Sequence, residues 1–291
     1  MNYNETVSAV NVILARYAMP LTLRQVYYQL VVGQFIPNRR SAYNGLSAQL
    51  VTARERGEVD EDRIVDRHRS INDRAFDSPQ AFFDAAIFTS RRRFFRRYWI
   101  TQPAYVETWV EKDALAQIIS ESVEELNTVV APCKGYSSFS YIKEALARFD
   151  KTIQDSSNEG RVIILYMGDH DPSGLDMTRD LQSRFSQYAI DRPFEVTVKR
   201  IALNYDQVQQ YNLVPSPTKL QDSRAAGYME KYGGECWELD ALDPRRLVEI
   251  CRDAVEEQIE DPDAWDELKA QDEAERKRIQ STLERMKKDF K

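Results

Sequence analysis

The chain has 291 residues, of which 42% are hydrophobic and 30% charged, with a formal net charge of −7; that length suffices for two domains of ordinary size. No run approaches the roughly 18–20 apolar residues of a membrane span, and the start, Met1-Asn2-Tyr3-Asn4-Glu5, lacks the basic and apolar regions of a secretory signal. Three widely spaced cysteines and two histidines argue against a disulfide framework, a cysteine zinc site and a histidine-rich metal centre. A reducing cytoplasm is therefore expected, and any metal falls to carboxylates, which favours Mg²⁺, with Mn²⁺ as the alternative.

The negative total hides an asymmetry: residues 1–103 carry 15 arginines, no lysine and 10 acidic residues, a net of +5, and the remainder carries −12. An all-arginine basic half suits phosphate, because a guanidinium pairs two oxygens at once. Within it, Val7, Val10, Ile13, Leu14 and Tyr17 predict a helix over 5–18 that Pro20 ends. Thr22-Leu23-Arg24-Gln25 is a capping box, with Leu21 and Val26 as its hydrophobic staple, and opens a second helix to about Gly33. A third helix over 40–56 turns Tyr43, Leu46, Leu50 and Ala53 inward, with Gly57 suited to the left-handed position after its end. Its other face offers Arg40, Asn44 and Ser47. Three short helices in a basic segment predict a helix-turn-helix whose third helix faces DNA through Arg40 and Asn44, with a wing strand from 59–66; a generic helical bundle is the other reading. A fourth helix over 78–99 ends in Arg91-Arg92-Arg93-Phe94-Phe95-Arg96-Arg97-Tyr98-Trp99. Those interleaved arginines and aromatics suit a nucleic-acid backbone or an interdomain packing surface. Thr101-Gln102-Pro103 then reads as a linker.

From residue 104 strands and helices alternate, the pattern of a parallel α/β sheet. Strands are expected at 105–110, 128–131, 162–167 and 194–201, and helices at 112–126, 138–149 and from Ser173. Residues 205–240 give no clear pattern. Asp243-Pro244 is an N-cap followed by proline, opening a helix to about 259. The densely charged 260–291 reads as a solvated terminal helix. The expected domains are 1–100, 104–260 and a charged helical tail, 261–291.

Val162 to Met167 is too short for a buried helix and rich in β-branched residues, so it reads as a fully buried strand. Gly168 stops it, and Asp169 and Asp171 follow at spacing two, projecting the same way from an extended segment. Open α/β sheets keep their sites at such carboxyl ends. Two carboxylates side by side call for a cation such as Mg²⁺ between them; a polar turn that contains Asp-x-Asp is the plainer reading. Glu111 ends the first sheet strand and would add a third carboxylate. Glu107, near that strand's start, reads as structural, as does His170. Lys112 and Lys134 sit at strand ends within reach of phosphate. Lys219 and Arg224 carry no assignment.

Strand-Glu-Lys (Glu111-Lys112), strand-Gly-Tyr-Ser (Gly135 to Ser137) and strand-Asp-x-Asp-Pro-x-Gly (Asp169 to Gly174) together resemble a Toprim domain, specifically that of the topoisomerase VI A subunit and its relative, the meiotic double-strand-break transesterase. Leu21 to Tyr28 resembles the catalytic helix of the same family, in which an arginine lies one turn before the second residue of an aromatic–tyrosine pair. The resemblance runs from about residue 5 to 260 and implies a winged-helix domain followed by a Toprim domain. It implies Tyr28 as nucleophile with Arg24 beside it, Glu111, Asp169 and Asp171 as Mg²⁺ ligands, a 5′-phosphotyrosyl product on double-stranded DNA, and a homodimer that joins the tyrosine of one protomer to the acids of the other. Tyr28 lies close to the start of the chain and no nucleotide-binding glycine loop is present. The resemblance is thus to the short stand-alone form called mini-A, with no nucleotide bound by this chain, a separate B-type ATPase subunit as an open question, no membrane, and a nucleoid-associated place in the cytoplasm.

The chemistry is physically sensible. A tyrosine hydroxyl has a pKa near 10, so attack on a phosphodiester needs a cation near the phenolate and the phosphate. Arg24, at i−4 from Tyr28, shares its helix face. Two other readings stay open: a hydrolytic Toprim nuclease in which Tyr28 is structural, and a non-catalytic DNA-binding regulator.

Overall fold

The structure is a computed structural model that describes residues 2–65, 75–154, 158–217 and 222–289. The N-terminal layer is helical. α1 (Tyr3–Leu14) ends before the expected residue 18, because the Arg16 and Tyr17 N–H groups bond back to Ile13 and Leu14 in tight turns. Arg63 donates to the carbonyls of Leu14 and Tyr17, both at 2.6 Å, adding a second bond at Leu14 beyond the one from the Tyr17 N–H. β1 (Leu21–Thr22) leads into α2 (Leu23–Val32), and the capping box is present: the Gln25 N–H donates to Thr22 Oγ1 at 3.0 Å and the Thr22 N–H to Gln25 Oε1 at 2.8 Å. α3 (Arg40–Glu55) buries Leu46, Leu50 and Ala53, and Gly57 follows it at φ 69°. β2 (Ile64–Val65) pairs in parallel with β1. Asp66, the end of the expected wing, lies outside the described residues, as do His68 and Lys219.

α4 (Pro79–Arg93) stops at Arg93 rather than at 99. Beyond it the Arg96 N–H donates to Asp272 Oδ1 at 2.9 Å instead of continuing the helical ladder, and Tyr98–Thr101 form a 3-10 turn. Tyr98 and Trp99 are buried, edge-on to Trp265 at 5.2 and 5.0 Å, and Arg96 pairs with Glu275 at 2.6 Å. These members of the arginine–aromatic run serve packing; the side chains of Arg91 to Arg93 lie outside the described residues.

The rest is mixed α/β. β3 (Ala104–Val110), α5 (Asp113–Ser122), β4 (Val129–Pro132), α6 (Phe139–Gln154), β5 (Arg161–Met167), α7 (Pro172–Tyr188) and β6 (Glu195–Ala202) follow in order. The four strands form one parallel sheet in the order β4-β3-β5-β6. β3 is buried along its whole length, as a central strand covered on both faces must be. Trp109 meets Tyr141 of α6 and Phe185 of α7 on one face. The strand order fixes the site: after β3 the chain moves one way to β4, and after β5 the other way to β6. The carboxyl ends of β3 and β5 therefore flank the topological switch point, where open α/β sheets form a crevice.

The segment whose pattern was unreadable folds as α8 (Tyr205–Gln210), β7 (Ser216–Pro217), α9 (Ala225–Tyr232) and β8 (Glu235–Cys236), with β7 and β8 antiparallel. α10 (Pro244–Glu256) then packs on β3, β5 and β6 opposite the tryptophan face, where Cys251 Sγ lies 3.9 Å from Thr108 Oγ1. α11 (Pro262–Asp289) is less solvated than its composition suggests. Trp265 and Leu268 join the main core, and the fully buried Asp272 accepts from the Arg96 N–H and the Tyr98 hydroxyl and pairs with Arg276. Among the described residues no helix is long and apolar enough to cross a membrane, and all three cysteines are free and buried.

Candidate active site

The register Val110↔Met167 sets Glu111 beside Gly168 at the switch point. The Glu111 N–H donates to the Met167 carbonyl at 2.9 Å, and the Glu111 side chain accepts the Asp169 N–H on Oε2 at 2.8 Å. Gly168 permits this approach: a Cβ there would stand 2.7 Å from Glu111 Oε2 and from the Tyr166 ring. Gly174 is needed more strictly, since its Cβ would stand 2.1 Å from the Asp169 carbonyl oxygen. Asp171 is the N-cap of α7, its Oδ1 accepting the Gly174 N–H at 2.6 Å and the Ser173 hydroxyl at 2.9 Å. Asp169 and Asp171 are thus fixed by different partners on either side of the turn.

Arg200, at the end of β6, holds the loop from behind. It donates to the carbonyls of Gly168, Asp169, Gly174 and Leu203 and to Thr178 Oγ1, at 2.5 to 3.1 Å, which occupies all five of its N–H groups. No sequence signal marked this residue.

The 237–241 segment closes the other side. His170 and Trp237 exchange backbone hydrogen bonds at 2.8 and 2.9 Å, and the buried imidazole sits among Tyr205, Tyr228, Tyr232 and Trp237, with Nδ1 2.9 Å from the Tyr228 hydroxyl. Burial first, and Arg200 second, hold that imidazole neutral, its pKa down to about 4. His170 is packed in the core and does not line the cleft. The bridge carries the Leu239 N–H to Asp169 Oδ1 at 2.7 Å and brings two further acids, Glu238 and Asp240, to the switch point.

Lys112 lies among them, 2.8 Å from Asp240 Oδ2, 3.0 Å from Asp169 Oδ1 and 3.2 Å from Glu238 Oε2. Burial alone would lower its pKa, but Asp240, Asp169 and Glu238 outweigh it and hold the ammonium well above the ordinary lysine value. The helical layer joins here: Thr22 Oγ1 donates to Asp240 Oδ1 at 3.0 Å, and Arg24 Nη1 reaches both oxygens of Glu238, at 2.6 and 2.5 Å, with its guanidinium over the Tyr43 ring. The result is a cleft of about 530 Å³ whose walls include Arg24, Tyr43, Glu111, Lys112, Lys134, Asp169, Glu238 and Asp240.

Tyr28 does not line that cleft. It is 2% exposed, edge-on to Tyr27 at 5.3 Å, and its hydroxyl lies 3.4 Å from Ser216 Oγ, long for a hydrogen bond between hydroxyls. Burial and then Glu238 push its phenol up to about 12, against the lowering effects of Ser216, Arg24 and Lys112. Tyr27 is buried too, its hydroxyl donating to Asn38 Oδ1 at 2.9 Å.

Of the residues expected from sequence, Arg24, Glu111, Lys112, Lys134 and Asp169 meet in one cleft. Asp171 stands behind it as a helix cap, Tyr28 lies buried on the Arg24 helix, and Arg40 and Asn44 are exposed on α3 away from the walls. Sequence reading missed Glu238 and Asp240, although Glu238-Leu239-Asp240 after Trp237 repeats the apolar-then-Asp-x-Asp logic of the 169–171 turn.

The donor chemistry fits a hard divalent cation. Glu111, Asp169 and Asp171 each have one oxygen oriented by a backbone N–H, and among the described residues the second oxygen of each accepts no hydrogen bond. Burial first, and then the neighbouring Asp169, raise Glu111 to about 7, against the lowering effects of the Asp169 N–H and Lys112. In the arrangement seen, no three Asp, Glu, His or Cys side chains among the described residues converge enough to hold an ion; Lys112 supplies the positive charge beside Asp169. A scan against protein-family models finds no match to this chain, and a search of curated proteins finds none either.

Proposed function

We propose that this chain is a DNA-cleaving transesterase of the topoisomerase VI A type, with a winged-helix part that carries Arg24 and Tyr28 and a Toprim part that carries Glu111, Asp169 and Asp171. The observation that supports it best is the meeting of Arg24 with Glu111, Lys112 and Asp169 in one cleft at the sheet's switch point. Five carboxylates (Glu111, Asp113, Asp169, Glu238, Asp240) face three cations (Arg24, Lys112, Lys134) there. A phosphodiester therefore enters favourably only with added positive charge, which is the condition for a Mg²⁺-dependent reaction. Glu111, Asp169 and Asp171 would hold Mg²⁺, which when bound supplies Lewis-acid stabilisation of the leaving 3′-oxygen.

In this reading Arg24 holds a phosphate oxygen, the Tyr28 phenol gives its proton to solvent, its phenolate attacks phosphorus, and the bond to the 3′-oxygen breaks, that oxygen taking a proton from solvent, to give a 5′-phosphotyrosyl bond. Tyr28 must leave its buried bed to react. A homodimer that passes DNA between protomers supplies the occasion, with the tyrosine of one chain meeting the acids of the other. Arg40, Asn44 and Lys134 would contact the duplex; ATP plays no part within this chain.

The test is incubation with supercoiled DNA and Mg²⁺ followed by denaturation. Protein covalently joined to 5′ ends, absent in Tyr28→Phe and in Asp169→Ala, is the expected result. Cutting that Tyr28→Phe leaves unchanged would overturn it. One observation favours a second reading, hydrolysis by water with Tyr28 structural: the phenol is buried and harder to ionise than a free tyrosine. That reading predicts free 5′ ends and no adduct.

A further inference from the structure

Among the described residues, Glu238 is the one carboxylate of the cleft that Arg24 and Lys112 contact at once. Arg24 Nη1 reaches its two oxygens at 2.6 and 2.5 Å, and Lys112 Nζ lies 3.2 Å from Oε2. This is the arrangement a phosphate would take between an arginine and a lysine: a planar or tetrahedral oxyanion with one cation on each side. The three side chains are partly exposed, 39% of Arg24, 26% of Glu238 and 20% of Lys112, so this carboxylate is reachable where the sheet's paired Glu107 is 0% exposed. By contrast Asp240, which also pairs with Lys112, is 3% exposed and fixed by the Thr22 hydroxyl. Asp240 is part of the frame, whereas Glu238 lines the cleft with 26% of its side chain exposed, in a place another anion can take.

We propose that Arg24 and Lys112 form a phosphate site for the nucleic-acid backbone, and that Glu238 is its internal occupant, a carboxylate that must swing away before a phosphate binds. The proposal rests on the DNA-cleaving reading above and adds a regulation to it. While Glu238 sits between the cations, Arg24 is held on its own protomer and DNA meets a net negative cleft. When phosphate displaces it, Arg24 loses its tie to Glu238 while Thr22 keeps its bond to Asp240, so the start of the helix stays anchored as the cleft opens to the backbone.

The experiment measures binding of a short DNA duplex, and separately of inorganic pyrophosphate, to the full chain over a salt series, first without divalent metal and then with Mg²⁺, and absence of binding means absence in both conditions. The variants are Glu238→Gln and, as a control, Glu249→Gln, which removes the same charge from an exposed pair with Arg246. Thermal unfolding confirms that each is folded. Glu238→Gln should bind both probes roughly ten-fold more tightly than the wild type, while Glu249→Gln gains about two-fold at most through net charge alone. The gain should vanish when Arg24→Gln is added. Duplex binding in which Glu238→Gln gains no more than Glu249→Gln, or keeps its gain without Arg24, overturns the proposal and leaves the DNA-cleaving reading standing. A gain for pyrophosphate with no duplex binding by any variant keeps the phosphate site and removes the DNA reading. No binding of either probe removes both.

Discussion

Glu107 and Glu111 stand four residues apart on one chain segment, on the same side of it, and have opposite fates. Glu107 is 0% exposed inside the sheet. It accepts from the Tyr105 hydroxyl at 2.8 Å, from Trp109 Nε1 at 3.0 Å and from two nitrogens of Arg148 at 2.7 and 2.9 Å, so its lone pairs are filled. Glu111, one residue past the strand, accepts a single N–H and faces the cleft. The lesson is that burial of a carboxylate says little about its role. A buried acid with every lone pair filled is frame; one with spare capacity next to other acids is free to bind something. Position relative to the strand's end decides which, because only there does a parallel sheet open to a crevice.

That contrast breaks first on stability. Glu107→Ala leaves Arg148, the Tyr105 hydroxyl and the Trp109 indole without their shared acceptor, and should cost about 3 kcal/mol in denaturant unfolding, the low end for a broken buried pair because 36% of the Arg148 side chain reaches water. Glu111→Gln should change stability by less than about 1 kcal/mol, since one hydrogen bond is lost while repulsion with Asp169 is relieved, yet it should remove the proposed Mg²⁺-dependent cleavage. Equal losses of stability in the two variants would erase the distinction.

A smaller effect sharpens it. Arg200 touches neither the cleft nor Glu107, but its five donors hold the loop that orients Asp169. A lysine there has three donors and no fork. Arg200→Lys should cost roughly 1–2 kcal/mol and should speed hydrogen exchange at the Asp169 and Gly174 amides while sparing those of β3. Uniform loosening across the sheet would mean that Arg200 is ordinary core.

Local signals carried most of what sequence reading reached. The apolar run ending at Gly168 located β5 and the acid turn, and Thr22 to Gln25 located the start of α2, because both depend on neighbours in the chain. The helical end at Arg93 did not follow from sequence, since it is set by Asp272, nearly two hundred residues on, which takes the Arg96 N–H. Glu238 and Asp240 were hidden for a similar reason. Glu238 lies between the β-bridge of Trp237 to His170 and the short 3-10 turn that holds Asp240, neither of which has a periodicity to detect. The burial of Tyr28 was equally out of reach: helical spacing showed that it shares a face with Arg24, but not that the 216–217 strand covers its hydroxyl.

The tyrosines repeat the contrast of the two glutamates, and the smallest predicted effect follows from them. Tyr105 donates to a filled acceptor, Glu107, and burial followed by that charge holds its phenol far above the ordinary value. Tyr28 has no strong partner, and burial first, then Glu238, raise it from 10.0 to about 12. For a group whose folded pKa lies above its unfolded one, the stabilisation is complete below the unfolded value and is lost as pH rises through the folded one. Unfolding free energy should therefore be insensitive to Tyr28 below pH 10 and should fall between pH 10 and about 12. Tyr28→Phe should flatten part of that fall without altering stability at neutral pH by more than a few tenths of a kcal/mol, because the 3.4 Å contact with Ser216 is weak. Bound duplex DNA should bring the phenol's titration, followed by tyrosinate absorbance, to lower pH, as a nucleophile drawn from its bed would show. A titration that DNA leaves in place would put Tyr28 with Tyr105, in the frame.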